Sequence, residues 1–289
     1  MPHAQLLDPN RISRQNTAHD QPEDDQSVTP AQASDSVHPA GTLVLPPARP
    51  ALSILMYHQV GRFAAPATHR ALYCHVDRFR AQLAYLRHLR FTVMDLGQVQ
   101  ACLFAGQPLP PRAVALTFDD GFADFREHAW PLLQEHGFPA TLFAISALIG
   151  QQATWMSGPE FPDPAPLLDG PALRALQQEG LHIGSHGMSH QRLTRLTQQQ
   201  ARAEVFDSKA ALEDLLGVAV PDFCYPYGDY NRQVRDLVQE AGYRSGLTCV
   251  RAAANYARNP FELPRKAISY GDSLAGYAWK LHVKHARKG

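Results

Sequence analysis

Ala113-Val114-Ala115-Leu116-Thr117-Phe118-Asp119-Asp120-Gly121 joins a short apolar run to two adjacent carboxylates and a glycine. The apolar half is short and bracketed by Pro110, Pro111 and Gly121, so it predicts a buried strand rather than a helix. Two neighbouring acids at the mouth of such a strand oppose each other's ionisation, and burial adds a desolvation cost. A cation is the simplest offset, and the rest of the sequence can be searched for its other ligands.

Other apolar runs end in a similar way. Leu52 to His58 is a first strand candidate and finishes in a histidine, while Leu181 to His186 is another, followed by Gly187-Met188-Ser189-His190. Phe91–Met94, Ala140–Ile145, Phe223–Tyr227, Tyr243–Thr248 and Leu263–Tyr270 are also strand-like. Helical patterns fall between them: Phe79, Leu83, Leu86 and Leu89 behind a cap at Asp77, and Leu96, Val99 and Leu103 before Gly106. Trp130, Leu132 and Leu133 precede Gly137, and a helix opened by Pro171 runs to Gly180. A Thr197/Gln200 capping box starts a long helix to Gly217, and Val234–Ala241 is helical. This alternation predicts an α/β domain with a parallel sheet, closed or open. Working groups in such folds sit where strands end. His58, Asp119, Asp120, His186, the Tyr225–Gly228 turn and Arg265 all occupy such positions, which points to one site.

At 289 residues, with 45% hydrophobic and 19% charged residues, the chain has room for one large domain and a tail. A formal net charge of zero argues against a general nucleic-acid binder. The four cysteines form no CxxC pair and read as reduced core residues. Residues 1–50 are rich in Gln, Ser, Pro, Asp and Ala, lack periodicity, and predict a disordered tail; the folded domain is expected over 51–289. Neither an export signal nor a membrane-spanning stretch is visible, so the expected location of the chain as written is cytoplasmic; a different start or non-standard export would place it outside. Oligomeric state is not legible.

His186 and His190 are four apart, a spacing that puts two imidazoles on one side of a helical turn. Combined with one carboxylate of the Asp119-Asp120 pair they make a site with positions left for water and substrate, and the other carboxylate is then free to act as a base.

These residues resemble the polysaccharide deacetylase family, carbohydrate esterase family 4, whose members remove acetyl groups from glycans with a metal ion. The family's TFDDG motif stands as Thr117 to Gly121, its H-x-x-x-H motif as His186 to His190, and its third motif as Cys224-Tyr225-Pro226-Tyr227-Gly228, without the usual arginine. The resemblance covers about Ala51 to Tyr270. It implies a deformed (β/α)7 barrel, Asp119 as general base, and Asp120, His186 and His190 as ligands of one divalent metal, zinc first, with cobalt, nickel or iron compatible. It also implies that Tyr225, Pro226, Tyr227 and Gly228 line the acetyl pocket, the Tyr227 N–H serving an oxyanion. The family's late Leu-x-His is not found. Ile54-Leu55-Met56-Tyr57-His58 is instead similar to the strand end of the branch related to poly-β-1,6-N-acetylglucosamine deacetylases, which implies His58 as general acid and Arg265 as the arginine that orients the base.

The function so implied is hydrolysis of N-acetyl groups on a sugar polymer or its precursor. Hydrolysis of another amide, such as an N-formyl sugar lipid or a cyclic ureide, uses the same site and stays open. A silent glycan-binding module requires a missing ligand or base, and none is missing. Trp130 reads as core. Trp155, in an irregular stretch over 150–170, reads either as core or as a sugar platform. His69, His75, His88, His128, His136 and His182 read as surface or structural, Asp124 as a helix-start acid, and the basic C-terminus as a solvated, frayed end.

Overall fold

A computed structural model describes residues 51–158, 161 and 163–286. The expected tail over 1–50 lies outside the described residues. Among the described residues ten strands and seven α-helices follow one another: β1 Ser53–Tyr57, β2 Gln59–Gly61, β3 Tyr73–His75, α1 Val76–His88, β4 Thr92–Val93, α2 Leu96–Phe104, β5 Ala113–Phe118 and α3 Trp130–His136. Then follow β6 Thr141–Ala144, α4 Gly170–Gln178, β7 His182–Ser185, α5 Gln198–Leu216, β8 Asp222–Cys224, α6 Arg232–Glu240, β9 Ser245–Leu247, β10 Lys266–Ala267 and α7 Leu274–His282.

The sheet is parallel in the order β10-β1-β5-β6-β7-β8-β9, with β4 added to β5. Leu263, just before β10, forms a parallel bridge to Leu247 in β9, and the Leu263 N–H donates to the Gly246 carbonyl. The segment 263–267 therefore touches β9 at one end and β1 at the other, closing a deformed seven-stave (β/α) barrel.

Strand period two sorts the side chains onto two faces. Leu55, Tyr57, Val114, Leu116, Phe118, Leu142 and Phe223 pack with α1, α3 and α5, whereas Ile54, Ala115, Phe143, Cys224, Leu247 and Leu263 fill the interior. Gly184 is where β7 must yield: a Cβ there would lie 2.4 Å from the Phe143 ring. Continuing the alternation of β5 beyond Ala115 puts Thr117 and Asp119 on the interior face, at the end of the barrel where the strands finish.

Several expectations change in detail. The cap of α1 is His75, whose Nδ1 accepts from the Asp77 N–H; Asp77 sits in the first turn instead, where its charge suits the helix dipole. His186 to His190 is loop rather than a helical turn, because Gly187 and His190 both take left-handed φ (76° and 60°). The basic end is not frayed up to His282: it forms α7, which buries Tyr277 and Leu281 and is capped by Ser273. No described helix is long and apolar enough to cross a membrane.

Candidate active site

Pairing of β1 with β5 runs to Tyr57 opposite Phe118, and the Asp119 N–H donates to the Tyr57 carbonyl at 2.9 Å. His58 and Asp119 thus leave the sheet as neighbours. The chain then reverses through Asp120 and Gly121, both with φ 73°, a conformation glycine accepts and aspartate resists. That turn aims the buried Asp120 carboxylate at two imidazoles: Oδ1 is 3.3 Å from Nε2 of His186 and 3.3 Å from Nε2 of His190. Asp120, His190 and Tyr227 are three of the six described non-glycine residues with positive φ, so backbone strain collects here.

The histidine loop is tied down from α5. Glu204 accepts from the backbone N–H groups of Met188 and Ser189, 2.9 Å each, and from the Ser189 hydroxyl. His186 Nδ1 lies 2.8 Å from the Cys224 carbonyl, which can only accept. The proton must therefore sit on Nδ1, leaving the Nε2 lone pair facing Asp120. His190 is held differently. Its buried Nδ1 has no hydrogen-bond partner among the described residues, but its ring is flanked by Trp155 at 4.4 Å and Tyr227 at 4.5 Å. Arg192 in turn lies 4.3 Å over the Tyr227 ring.

Asp120 Oδ1 is also buried without a hydrogen-bond donor, and it clusters with the two Nε2 atoms within 4.8 Å. Burial pushes the Asp120 carboxyl up, yet the two imidazoles set against it outweigh that effect and hold the group well below its ordinary value. An oxygen and two neutral nitrogens suit a zinc-type ion; tetrahedral ligands of such an ion lie about 3.3 Å apart, as these do. Asp119, His186 and Cys224 form a second close group, but there the cation is already present as Arg265.

Arg265 is 1% exposed and grips Asp119 at both ends, Nη1 to Oδ1 and Nη2 to Oδ2 at 2.7 Å each. Its remaining donors reach the Thr248 carbonyl at 3.0 Å, Thr117 Oγ1 at 3.1 Å and Cys224 Sγ at 3.0 Å. Burial alone would raise the Asp119 carboxyl, but the guanidinium charge and its hydrogen bonds hold it below the usual carboxylate value.

Asp119, Asp120, His186 and His190 line a cavity of about 430 Å³ that also presents His58, Trp155 and Tyr227. His58 lines the cavity, and its Nδ1 is buried with no hydrogen-bond partner among the described residues. Tyr225 lines the floor, its hydroxyl committed to the Phe261 carbonyl at 3.0 Å. Pro226 and Gly228 do not line the cavity: they shape the turn, Gly228 at φ 65° lying so close to Cys249 that a Cβ would approach it to 2.6 Å. His69, expected at the surface or in a structural role, lies on the cavity wall. Sequence reasoning missed Glu204 and the Cys224 thiol. The first interrupts a helix face without any motif, and the second stands where the related motif has its arginine.

Residues 106–246 match the family model described as Polysaccharide deacetylase. That span contains Asp119, Asp120, His186, His190 and the Tyr225 turn, but neither His58 nor Arg265, whose placement rests on the geometry above. Over 233 residues the chain is 26% identical to the candidate polysaccharide deacetylase YxkH of Bacillus subtilis (strain 168), covering 81% of this chain and 76% of that protein. It is 31% identical over 87 residues to the poly-beta-1,6-N-acetyl-D-glucosamine N-deacetylase of Escherichia coli (strain K12), covering 30% of this chain but only 13% of that longer enzyme. Among solved structures, the deacetylase PplD of Streptococcus pyogenes, in complex with acetate, superimposes with a TM-score of 0.70 at 25% identity, over 81% of this chain and all of that one. IcaB from Ammonifex degensii shares the fold, with a TM-score of 0.67 at 22% identity over 80% of this chain and 97% of that one. With the motif residues assembled in one cavity, the match over 106–246 and the shared barrel, the chain belongs to the polysaccharide deacetylase family.

Proposed function

We propose that the chain hydrolyses N-acetyl groups on sugars of a polysaccharide or its precursor, releasing acetate. The observation that carries this reading is the division of labour between two adjacent carboxylates. Asp120 points at His186 and His190, while Asp119 is locked on Arg265.

Asp120, His186 and His190 would hold one divalent ion, with zinc the best match to the donor set. Such an ion supplies polarisation of the acetyl carbonyl and lowers the pKa of water toward ~7. Asp119, held low by Arg265, would serve as the base that takes a proton from the attacking water. Arg265 fixes the direction in which Asp119 offers its lone pairs and keeps the base ionised until the proton is taken. The Tyr227 peptide N–H lies in a turn beside the cavity, where it can donate to the developing oxyanion. His58, on the neighbouring strand end, gives the proton that the departing amine needs. Trp155 and Tyr227 wall the opening and exclude bulk water from the reacting carbonyl.

The decisive experiment is acetate release from defined N-acetylglucosamine oligomers by the purified, metal-loaded protein, run beside formate release from the N-formyl analogues. Acetate as the preferred product is expected. Formate release dominating by a wide margin would overturn the reading in favour of a different amide substrate.

A further inference from the structure

The cavity does not end at Tyr227. A second groove of about 520 Å³ continues from it, sharing Trp155, His190, Arg192 and Tyr227 and adding Gln191 and Arg195. Its lining contains two guanidiniums and no carboxylate among the described residues. Leu193–Arg195 is a 3-10 turn whose Arg195 N–H donates to the Arg192 carbonyl at 3.0 Å. Residues three apart on such a turn project to the same side, which is why both arginines reach one groove.

Neither arginine has an acidic partner among the described residues. The acids that reach this loop are already committed: Glu204 to Met188 and Ser189, and Asp229 to the Thr194 N–H and hydroxyl at 3.0 and 2.7 Å. Arg192 Cζ lies 4.3 Å over the centre of the Tyr227 ring, and the same arginine lines the groove. Two such forks beside an aromatic wall match a sugar that bears a negative group, since guanidinium pairs bidentately with phosphate and carboxylate alike.

We propose that this groove is a subsite for an anionic substituent, a phosphate or a carboxylate, on a sugar adjoining the one that is deacetylated. The inference rests on the deacetylase reading and narrows it: the substrate is an anionic glycan rather than a neutral one.

The test uses three N-acetylglucosamine trimers: one neutral, one with a 6-phosphate on a terminal sugar, and one with a terminal glucuronate replacing that sugar. For the wild-type protein a charged trimer is expected to show kcat/KM higher by about tenfold, chiefly through KM. The advantage should shrink as NaCl rises from about 50 to about 300 mM. Preference for the phosphate alone, the carboxylate alone or both supports the subsite and identifies its ligand. Arg195→Gln, at an exposed position, should melt like wild type, process the neutral trimer unchanged, and lose most of the preference. Equal processing of neutral and charged trimers by wild type overturns the subsite and leaves the deacetylase reading standing. An advantage that persists in Arg195→Gln also overturns it. Failure to release acetate from any trimer sinks both readings together.

Discussion

Arg265 clamps Asp119 with both ends of its guanidinium, at 2.7 Å and 2.7 Å, across 146 residues of chain. The pair is buried, so its Coulomb attraction must offset two desolvation costs, and breaking one side leaves an unpaired charge in the barrel. Arg265→Met is expected to cost about 3–5 kcal/mol of stability. Arg265→Lys restores the charge but not the fork, so kcat should still fall by about 100-fold from misaimed geometry. Urea unfolding and acetate release measure the two effects separately. A lysine variant with full kcat would show that orientation of Asp119 does not matter.

Asp119 and Asp120 differ in what they hold, so their substitutions should separate binding from turnover. Asp119→Asn is expected to retain the bound ion and lose about 1,000-fold in kcat. His190→Ala should lose the ion itself. Elemental analysis of the two purified variants decides the matter, and an ion missing from the first but present in the second would reverse the assignment.

His58 faces the cavity without a hydrogen-bond partner on Nδ1 among the described residues. Its replacement by alanine should leave ion content unchanged while kcat falls by about 100-fold or more. Substrates with a better leaving group than a sugar amine, such as an acetylated phenol, should suffer less. An equal loss on both classes would remove the proton-donating role from this residue.

Trp155 touches the ligand trio rather than only the substrate. Its ring lies 4.4 Å from that of His190, and His190 lacks the hydrogen bond that fixes His186. Aromatic contacts contribute about 0.5–1.5 kcal/mol beyond area burial. Trp155→Ala should therefore weaken affinity for zinc by roughly 2- to 10-fold, with Trp155→Phe close to wild type. Competition with a fluorescent chelator provides the readout. Unchanged zinc affinity alongside a raised KM would make Trp155 a sugar platform and nothing more.

Asp124 has a carboxyl oxygen buried without a partner among the described residues, and burial pushes its pKa up to about 8 even though the backbone N–H groups of Val60 and Phe125 draw it down. The folded state thus keeps a proton that the unfolded chain releases near pH 4. Its stabilising effect is whole below about pH 4 and is lost progressively as pH rises toward 8. Asp124→Asn cannot titrate, so relative to wild type it should gain stability progressively as pH rises from 5 to 8. Urea midpoints at both pH values test this, and a constant difference would refute it.

Much of the barrel was readable because β5, β7 and β1 announce themselves as apolar runs ending in Asp or His, and α5 carries a capping box and a closing Gly217 that the structure shows intact. The site was readable for the same reason: strand ends collect what strand ends carry. What escaped depends on contacts distant in sequence. No local pattern says that Trp155 will lie against His190, or that Cys224 Sγ will meet Arg265 across 41 residues. The His186–His190 spacing suggested a helical turn because four-residue intervals usually mean that, but Gly187 and the Glu204 tether impose a loop with similar convergence. In α7, Tyr277 and Leu281 carry a helical interval that the surrounding lysines and histidines obscured.

The barrel's seam lies between Leu247 and Leu263, and Arg265 follows the seam by two residues. The same piece of chain that joins the ring also supplies the partner of Asp119. Everything needed to gather an ion is encoded upstream of it. One substitution at that seam therefore acts on two things together, the closure of the ring and the aim of Asp119.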